Sequence, residues 1–276
     1  MDKLAAARRF FGDWLATSVE AGDPRLADAF ASVPREDFLG PGPWQALANT
    51  DYVQTPSADT QLLYQNIVFA LKPDKHINNG EPSLHARCIA AVAPQPGERV
   101  LQVGSGGGYY TAILATLVGP HGAVEAREVE AELIAAATRN LARFKQVSVV
   151  GRSGVEPPLP QSDVIYVCAG ATAPMRPWLD ALPIGGRLIF PLTPHWDRGG
   201  MLLVTRQATG FAARFVSVAW FIPCIGAQDP AEGERLREAF SRGREGNVRS
   251  LRLAPEPPDE TCWLAGNGWW LSTGEI

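Results

Sequence analysis

The 276-residue sequence has no long apolar run, no cluster of basic residues and no closely paired cysteines. Its longest apolar candidate, FVSVAWFIPCI (215–225), is shorter than the roughly 18 residues that a membrane span needs, and it contains a proline. The amino terminus, MDKLAAARRFFGDW, lacks the apolar core and the cleavage site of a signal peptide. These absences predict a protein without a membrane partner that resides in the cytoplasm.

The few cysteines and the modest charge exclude further classes of protein. The four cysteines are far apart and form no CxxC motif, so we predict neither a disulfide framework nor a metal site. The net charge is −4, and the arginines are scattered without a run of five or more basic residues. We therefore expect no nucleic-acid partner. The sequence gives no indication of the oligomeric state.

The first 82 residues combine a helical region with an irregular one. Residues 1–40 predict helices, because apolar side chains recur there at helical spacing. Residues 41–82 are rich in Pro, Asn, Asp and Gln and predict an irregular segment. Because such a stretch in a compact domain is usually functional, we interpret it as a substrate lid. The alternative is that this segment only crosses the protein surface and has no function of its own.

From about residue 83 onward, apolar strands alternate with helices. The predicted helices cover 83–93, 109–119 and 130–144. The predicted strands cover 99–103, 123–127, 147–150, 163–169, 187–192, 201–206 and 214–223. This alternation indicates an α/β fold with a parallel sheet that is covered by helices on both faces. The last strands follow one another without a helix, which indicates an antiparallel finish.

The last fifty residues have a different pattern. Residues 231–244 predict a helix, and NVRSLRL (247–253) predicts an edge strand. Two short aromatic runs surround Asn267-Gly268, which is a strong signal for a hairpin over 261–273. Its tryptophans either cover the sheet edge, which we favour, or line a substrate groove. These tryptophans are Trp263, Trp269 and Trp270.

The segment VLQVGSGGGYY (100–110) follows a predicted strand and opens a predicted helix. Glycines at such a place let the backbone turn sharply and approach a ligand, and the helix N-terminus favours a negatively charged group. Tyr109 occupies the sixth position from Gly104, so the dinucleotide-binding fingerprint is absent. The spacing Gly104-x-Gly106-x-Gly108 is that of S-adenosylmethionine (SAM) methyltransferases. A purely structural glycine turn is the alternative.

An acid at the end of the next strand supports a nucleoside site. Glu128 lies 24 residues after Gly104 in the sequence. A carboxylate at this place in a doubly wound sheet can accept hydrogen bonds from both hydroxyls of a ribose. We therefore interpret Glu128 as a cofactor ligand, with a solvated charge at the strand end as the alternative.

Several motifs in the same order resemble protein-L-isoaspartate O-methyltransferases, over about residues 22–226. The segments that carry the resemblance are DPRLADAFASVPREDFL (23–39), VLQVGSGGGYYTAILATLVGPHGAV (100–124), EVEAELIAAATRNL (128–141), DVIYVCAGA (163–171) and LPIGGRLIFPL (182–192). The resemblance implies a class I methyltransferase fold, SAM as the methyl donor and methylation of the misplaced carboxylate of isoaspartate. It also implies a site that positions the acceptor and excludes water, because a carboxylate is already a nucleophile.

The resemblance also implies the residues of the site. The methionyl and ribose parts of SAM would contact the glycine loop, with Glu128 on the ribose hydroxyls and residues 151–154 beside the adenine. The implied cofactor-binding residues are Gln102, Gly104, Ser105, Gly106, Gly108, Glu128, Arg152 and Ser153. The implied residues on the substrate side, which we take as the catalytic set, are Asn78, Asn79, Ser83 and His85. Of these, His85 matches a histidine of the family. A core or capped histidine is the alternative for His85.

The sequence departs from the family in its lid. The family has a Thr-Ile-Ser segment there, and HINNGEPSLHA (76–86) occupies the same place. The threonine position falls on Asn78 and the serine position on Gly80, so the hydroxyl that contacts the substrate is missing. The side chains of Asn78 and Asn79 can donate hydrogen bonds in its place. Glu81 adds a negative charge near an anionic substrate, which is unfavourable unless an arginine pairs with it.

Two cofactor positions also depart from the family. Gln102 stands where the family has an acid that helps to hold the methionyl end, and it keeps a hydrogen-bonding oxygen. Arg152 stands where the family has an aspartate that reaches the adenine amino group. A guanidinium has no acceptor for that amino group and offers only donors or a stacking plane.

Taken together, the sequence predicts an α/β, class I methyltransferase fold with a mostly parallel, doubly wound sheet. The predicted parts are N-terminal helices with a lid (1–82), a SAM-binding core (83–226) and a C-terminal extension (227–276). The predicted function is SAM-dependent methylation of a carboxylate on a protein or peptide. The first alternative is the same fold with another acceptor, a modified peptide or a small molecule. The second is an inactive SAM-binding module that binds a protein partner through its tryptophan-rich tail.

Overall fold

The computed structural model describes residues 2–276 and contains seven α-helices and fourteen strands in that range. The helices are α1 (Lys3–Ser18), α2 (Arg25–Ser32), α3 (Pro82–Val92), α4 (Tyr109–Val118), α5 (Ala131–Asn140), α6 (Arg176–Asp180) and α7 (Pro230–Arg242). The strands are β1 (Gln45–Ala48), β2 (Asp51–Gln54), β3 (Ala70–Lys72), β4 (Ile77–Asn78), β5 (Arg99–Val103), β6 (Ala123–Arg127), β7 (Val147–Val150), β8 (Val164–Val167), β9 (Arg187–Leu192), β10 (Gly199–Arg206), β11 (Phe211–Ala219), β12 (Ser250–Leu253), β13 (Cys262–Ala265) and β14 (Trp269–Ser272). None of the helices in residues 2–276 combines the length and the apolarity needed to cross a bilayer.

The chain divides into two compact units. The first extends to Glu98 and includes Ser105–Gly151, and the second contains Arg99–Gly104 and Arg152–Ile276. The glycine loop therefore contributes its first glycine to the second unit and the rest to the first. The three-part functional division at residues 82 and 226 stays a prediction.

The first unit contains the N-terminal helices, the lid segment and one parallel strand pair. Helices α1 and α2 pack together, and the rings of Phe11 and Phe30 meet edge to face with centroids 6.3 Å apart. Strands β6 and β7 pair in parallel from Val124 opposite Val147 to Arg127 opposite Val150. Helix α4, whose residues are nearly all buried, follows the glycine loop.

The lid segment is more regular than its composition predicts. Residues 41–82 contain two short antiparallel pairs, β1 with β2 and β3 with β4, where we expected irregular structure. Buried Arg35 holds this segment, because its guanidinium donates to the carbonyls of Leu63, Gln65 and Ile67. These contacts join residues far apart in the sequence, and local composition does not reveal them.

The second unit contains eight strands in the order β13-β14-β12-β11-β10-β9-β8-β5. Strands β5, β8 and β9 are parallel, whereas β10 is antiparallel to β9 and β11 is antiparallel to β10. The predicted parallel core with an antiparallel finish is therefore confirmed. Strand β11 ends at Ala219, which lies opposite Gly199 at the start of β10, and not at residue 223 as predicted.

The C-terminal extension continues this set of strands. The predicted hairpin is confirmed as β13 and β14, and β14 pairs with β12. The prediction of an edge strand at 247–253 is wrong, because β12 lies between β11 and β14, and β13 forms the edge. The three tryptophans of the hairpin are buried, so the substrate-groove alternative is also wrong for them. The Trp263 indole packs edge to face against Phe215 and Phe240.

Candidate functional site

The first part of the glycine loop lies in the second unit, directly after β5. Gly104 has a φ of +74°, a left-handed conformation that favours glycine. A Cβ atom on Gly104 would lie 3.6 Å from the backbone of Cys168, at the end of β8. Gln102 is buried on β5, with its Nε2 atom 3.5 Å from the sulfur of Cys168. Its predicted contact with the cofactor stays a prediction.

The rest of the loop lies in the first unit and forms a backbone cradle. Gly106 and Gly108 have φ values of +55° and +94°, left-handed conformations that favour glycine. A Cβ atom on Gly107 would lie 2.9 Å from the carbonyl oxygen of Phe38, and one on Gly108 would lie 2.8 Å from Leu141. Side chains at positions 107 and 108 are thus excluded, and the backbone of this turn packs directly against Phe38 and Leu141.

One hydroxyl in the cradle has no partner. Ser105 is 7% exposed, and its Oγ atom is buried without a hydrogen bond to any part of residues 2–276. A buried polar group without a partner costs about 1–3 kcal/mol. A polar ligand on the loop would remove this cost, so Ser105 fits the prediction that it contacts the cofactor.

The carboxylate of Glu128 is hydrogen-bonded to the same turn. Its Oε2 atom accepts a hydrogen bond of 2.8 Å from the Gly106 amide. Its Oε1 atom accepts from the amides of Val129 and Glu130, at 2.8 and 3.1 Å. The residue is only 7% exposed, which excludes the alternative of a solvated charge at the strand end. Because a carboxylate has about four acceptor positions, Glu128 keeps room for a ribose hydroxyl.

The two asparagines of the lid use their amide oxygens to shape its backbone. Asn79 Oδ1 accepts from the Phe69 amide at 2.7 Å, and Asn78 Oδ1 accepts from the Gly80 amide at 2.9 Å. Each side chain is thereby oriented, and its Nδ2 group is directed away from the bond that the oxygen makes. Donation from these groups to an acceptor carboxylate stays a prediction.

His85 is buried beneath the lid. Its ring stacks on Tyr110 with centroids 3.7 Å apart and planes 13° apart. The Tyr110 hydroxyl donates to the Gly80 carbonyl at 3.3 Å. Burial lowers the pKa of His85 to about 3, so the imidazole is neutral at physiological pH. These contacts favour the alternative of a core histidine that positions the lid.

The same contacts explain why the lid has a glycine at the serine position of the family. Gly80 has a φ of +73°. A Cβ atom there would lie 2.2 Å from His85 Nε2, which is too close for any side chain. The position of His85 therefore leaves no room for a hydroxyl-bearing side chain at residue 80.

Ser83 lies in a polar cluster at the start of α3. Its amide donates to Asn66 Oδ1 at 2.8 Å, and its hydroxyl donates to Glu81. Glu81 also accepts from Asn66 Nδ2 at 2.9 Å. Within residues 2–276 no arginine pairs with Glu81, so its charge is offset by neutral donors. A substrate role for Ser83 stays a prediction.

Three lid residues that were not predicted from the sequence contact the glycine loop or the acids near Glu128. A Cβ atom on Gly106 would lie 3.1 Å from Leu71, so this leucine covers the glycine loop. Lys72 pairs with Glu132 at 2.8 Å, and Lys75 pairs with Glu130 at 2.6 Å. The cluster of acids around Glu128 was a usable signal, because such a cluster needs cations nearby.

The predicted adenine loop lies in the second unit. Arg152 pairs with Glu156 at 2.9 Å on the surface. Ser153 Oγ donates to the Ile225 carbonyl at 3.4 Å. The next residue is packed tightly, because a Cβ atom on Gly154 would lie 2.1 Å from Val103. Contacts of Arg152 and Ser153 with adenine stay predictions.

Residues 2–276 contain no cluster of three or more His, Cys, Asp or Glu side chains that could hold a metal ion. All four cysteines are free. The candidate site consists of the glycine loop, Glu128 and the lid.

Known proteins match most of the chain. A family model for protein-L-isoaspartate(D-aspartate) O-methyltransferase matches residues 16–229. The protein-L-isoaspartate O-methyltransferase of Thermotoga maritima is 30% identical over 192 residues, which cover 67% of this chain and only 55% of that protein. The enzyme of that name from Methanothrix thermoacetophila is 37% identical over 207 residues, 73% of this chain and 88% of that protein.

Solved structures show the same fold. A protein-L-isoaspartate O-methyltransferase superposes with a TM-score of 0.65 at 22% identity and covers 97% of this chain and 88% of its own. A Plasmodium falciparum protein of the same description, solved with S-adenosyl-L-homocysteine, has a TM-score of 0.59 at 18% identity, with coverages of 79% and 97%. The predicted class I methyltransferase fold is confirmed. From the extent of the family match, the chain belongs to the protein-L-isoaspartate(D-aspartate) O-methyltransferase family.

Proposed function

We propose that this protein is a SAM-dependent methyltransferase that esterifies the carboxylate of an isoaspartyl residue in a protein or peptide. Family membership over residues 16–229 is the observation that carries this proposal. The cytoplasm is the proposed location, which agrees with four free cysteines.

The residues of the glycine loop fit the cofactor. Ser105 has a buried hydroxyl without a partner, Gly104 and Gly106 are half-buried, and Glu128 keeps acceptor capacity beside Gly106. Bound SAM supplies an electrophilic methyl group on a positively charged sulfur. The Ser105 hydroxyl would hold it, and Glu128 would orient the ribose.

The chemistry requires orientation rather than proton transfer. An acceptor carboxylate has a pKa of about 4 and is already ionised at neutral pH, so no general base is needed. A neutral, buried His85 agrees with that requirement. The Nδ2 groups of Asn78 and Asn79 would donate to the carboxylate and hold one oxygen in line with the methyl group. Holding reactants in such a geometry is worth several kcal/mol of the barrier.

The test is methyl transfer from labelled SAM to an isoaspartyl peptide, beside the same peptide with a normal aspartyl residue. We expect base-labile label on the isoaspartyl peptide only. Equal labelling of both peptides, or none while a control enzyme is active, would refute the proposal. In the second case, a screen of modified peptides and small carboxylic acids would test the alternative acceptor that the glycine at position 80 suggests.

A further inference from the structure

Large apolar side chains are exposed on one part of the second unit. Trp220 and Ile225 are each 64% exposed, and Trp196 is 56% exposed. Val218, two residues before Trp220, is also exposed. Such exposed tryptophans are unusual, because indoles are normally buried or used in binding.

The strand register places both tryptophans at one edge. Gly199 at the start of β10 lies opposite Ala219 at the end of β11, and Gly200 lies opposite Leu192 at the end of β9. Trp196 precedes β10 and Trp220 follows β11. Both tryptophans therefore lie beside the carboxyl end of the parallel strand β9. This edge is relevant because doubly wound sheets bind their ligands at the carboxyl ends of the strands.

Backbone hydrogen bonds connect the segment that follows Trp220 with the start of the glycine loop. The Gly170 amide donates to the Ile222 carbonyl, and the Cys224 amide donates to the Gly170 carbonyl, both at 2.7 Å. The Cys168 amide donates to the Val103 carbonyl, one residue before Gly104, at 2.8 Å. Backbone contacts within the second unit thus lead from the segment that follows Trp220 to the loop.

The C-terminal extension holds Trp196 in place. Trp196 has a φ of +51°, which is costly for a bulky residue and persists only where the surroundings impose it. Arg237 on α7 donates to Asp197 Oδ2 at 3.0 Å and to the His195 carbonyl at 3.4 Å. The two residues that flank Trp196 are therefore fixed by a helix that lies outside the family match.

We propose that Trp196 and Trp220 form an apolar subsite for the side chains that flank the methylated residue of the acceptor peptide, with Arg237 as a positioning residue for Trp196. The inference rests on the proposed function. A peptide acceptor is the occupant because backbone hydrogen bonds within the second unit connect this edge with Gly104, the first glycine of the loop, and a peptide carries side chains on both sides of its reactive carboxylate. Tryptophans give such side chains a large, rigid contact area.

The experiment compares two isoaspartyl hexapeptides, one with leucine and phenylalanine beside the isoaspartyl residue and one with glycine and serine. The readout is the ratio of their kcat/KM values. We expect the wild-type protein to prefer the apolar peptide about tenfold, mainly through KM. Trp196→Ala and Trp220→Ala should each bring the ratio towards one, and Trp220→Phe should retain most of it.

Arg237→Gln tests the positioning role. It should lower the same ratio, and Arg237→Lys should restore part of it because a cation beside Asp197 is kept. Ile184→Ala is the matched control, because Ile184 is 70% exposed in the turn before β9, at the opposite end of that strand. It should leave the ratio unchanged.

The outcomes separate this inference from the proposed function. Turnover of the two peptides at equal efficiency, or a preference that survives both tryptophan-to-alanine changes, overturns the subsite while the proposed function stands. Absence of turnover on both peptides overturns the proposed function, and the subsite that rests on it falls as well.

Discussion

At the scale of single residues, Glu128 has two tasks that a substitution can separate. It holds the Gly106 amide through Oε2, and it is predicted to accept from the ribose. Glu128→Gln keeps an oxygen for the amide but removes the charge. We expect SAM affinity to fall by about 1–3 kcal/mol, as for other charge-assisted hydrogen bonds, when measured by calorimetry. The exposed Glu20 provides the control Glu20→Gln, and an unchanged affinity for Glu128→Gln would remove Glu128 from the site.

Burial of His85 makes the free energy of unfolding depend on pH in the acidic range. Its pKa is lowered to about 3 in the folded protein from an ordinary value of 6.5. Between these values the unfolded chain binds a proton that the folded protein does not, so stability falls as the pH is lowered through this window. The limit is about 1.4 kcal/mol per pH unit.

The measurement is urea unfolding of the wild-type protein and of His85→Gln at pH 7.5 and pH 5. Other groups contribute equally to both proteins, so the difference isolates His85. We expect the wild-type protein to lose more stability than the variant on acidification. Equal losses would show that His85 is exposed to solvent or protonated in the fold.

At the scale of elements, the lid turn depends on the contact between Gly80 and His85. Gly80→Ser restores the hydroxyl position of the family but places a Cβ atom 2.2 Å from His85 Nε2 at a φ of +73°. We expect a loss of about 1–3 kcal/mol in the free energy of unfolding. The double variant Gly80→Ser with His85→Ala should recover part of that loss, and strictly additive effects of the two changes would contradict the contact.

Two tryptophans of the second unit, one in the C-terminal hairpin and one after β11, have opposite burial. Trp270 on β14 is 2% exposed, whereas Trp220 is 64% exposed. Trp270→Ala should cost about 3–5 kcal/mol of stability, because it removes a large core side chain. Trp220→Ala should change stability by less than about 0.5 kcal/mol. Thermal and urea unfolding of both variants check this contrast, and equal effects would show that the hairpin is not part of the core.

At the scale of the whole molecule, ligand binding should stabilise the fold. A ligand that binds only the folded state at about 100 times its Kd adds about 2.7 kcal/mol to the free energy of unfolding. We expect this gain with S-adenosylhomocysteine in a melting experiment, and a smaller gain at the same concentration with Glu128→Gln. Absence of any shift at millimolar concentration would contradict the nucleoside site.

The alternation of strands and helices, the glycine turn and the terminal hairpin could all be predicted from the sequence. Each depends on local rules, namely apolar periodicity, the left-handed conformation of glycine and the turn propensity of Asn267-Gly268. Glu128 could be predicted as well, because its distance from the loop in sequence follows from one helix and one strand of ordinary length. The family resemblance rests on the order of these same segments.

Only the tertiary structure decided which side chains of the same type are buried and which are exposed. Trp270 is in the core while Trp196 and Trp220 are at the surface, and β12 is an interior strand because β14 pairs with it. His85 is neutral, and Gly80 excludes a hydroxyl, because α3 and α4 bring His85 onto Tyr110. Contacts between residues far apart in sequence determine burial, and burial sets both the pKa of a side chain and its access to a substrate.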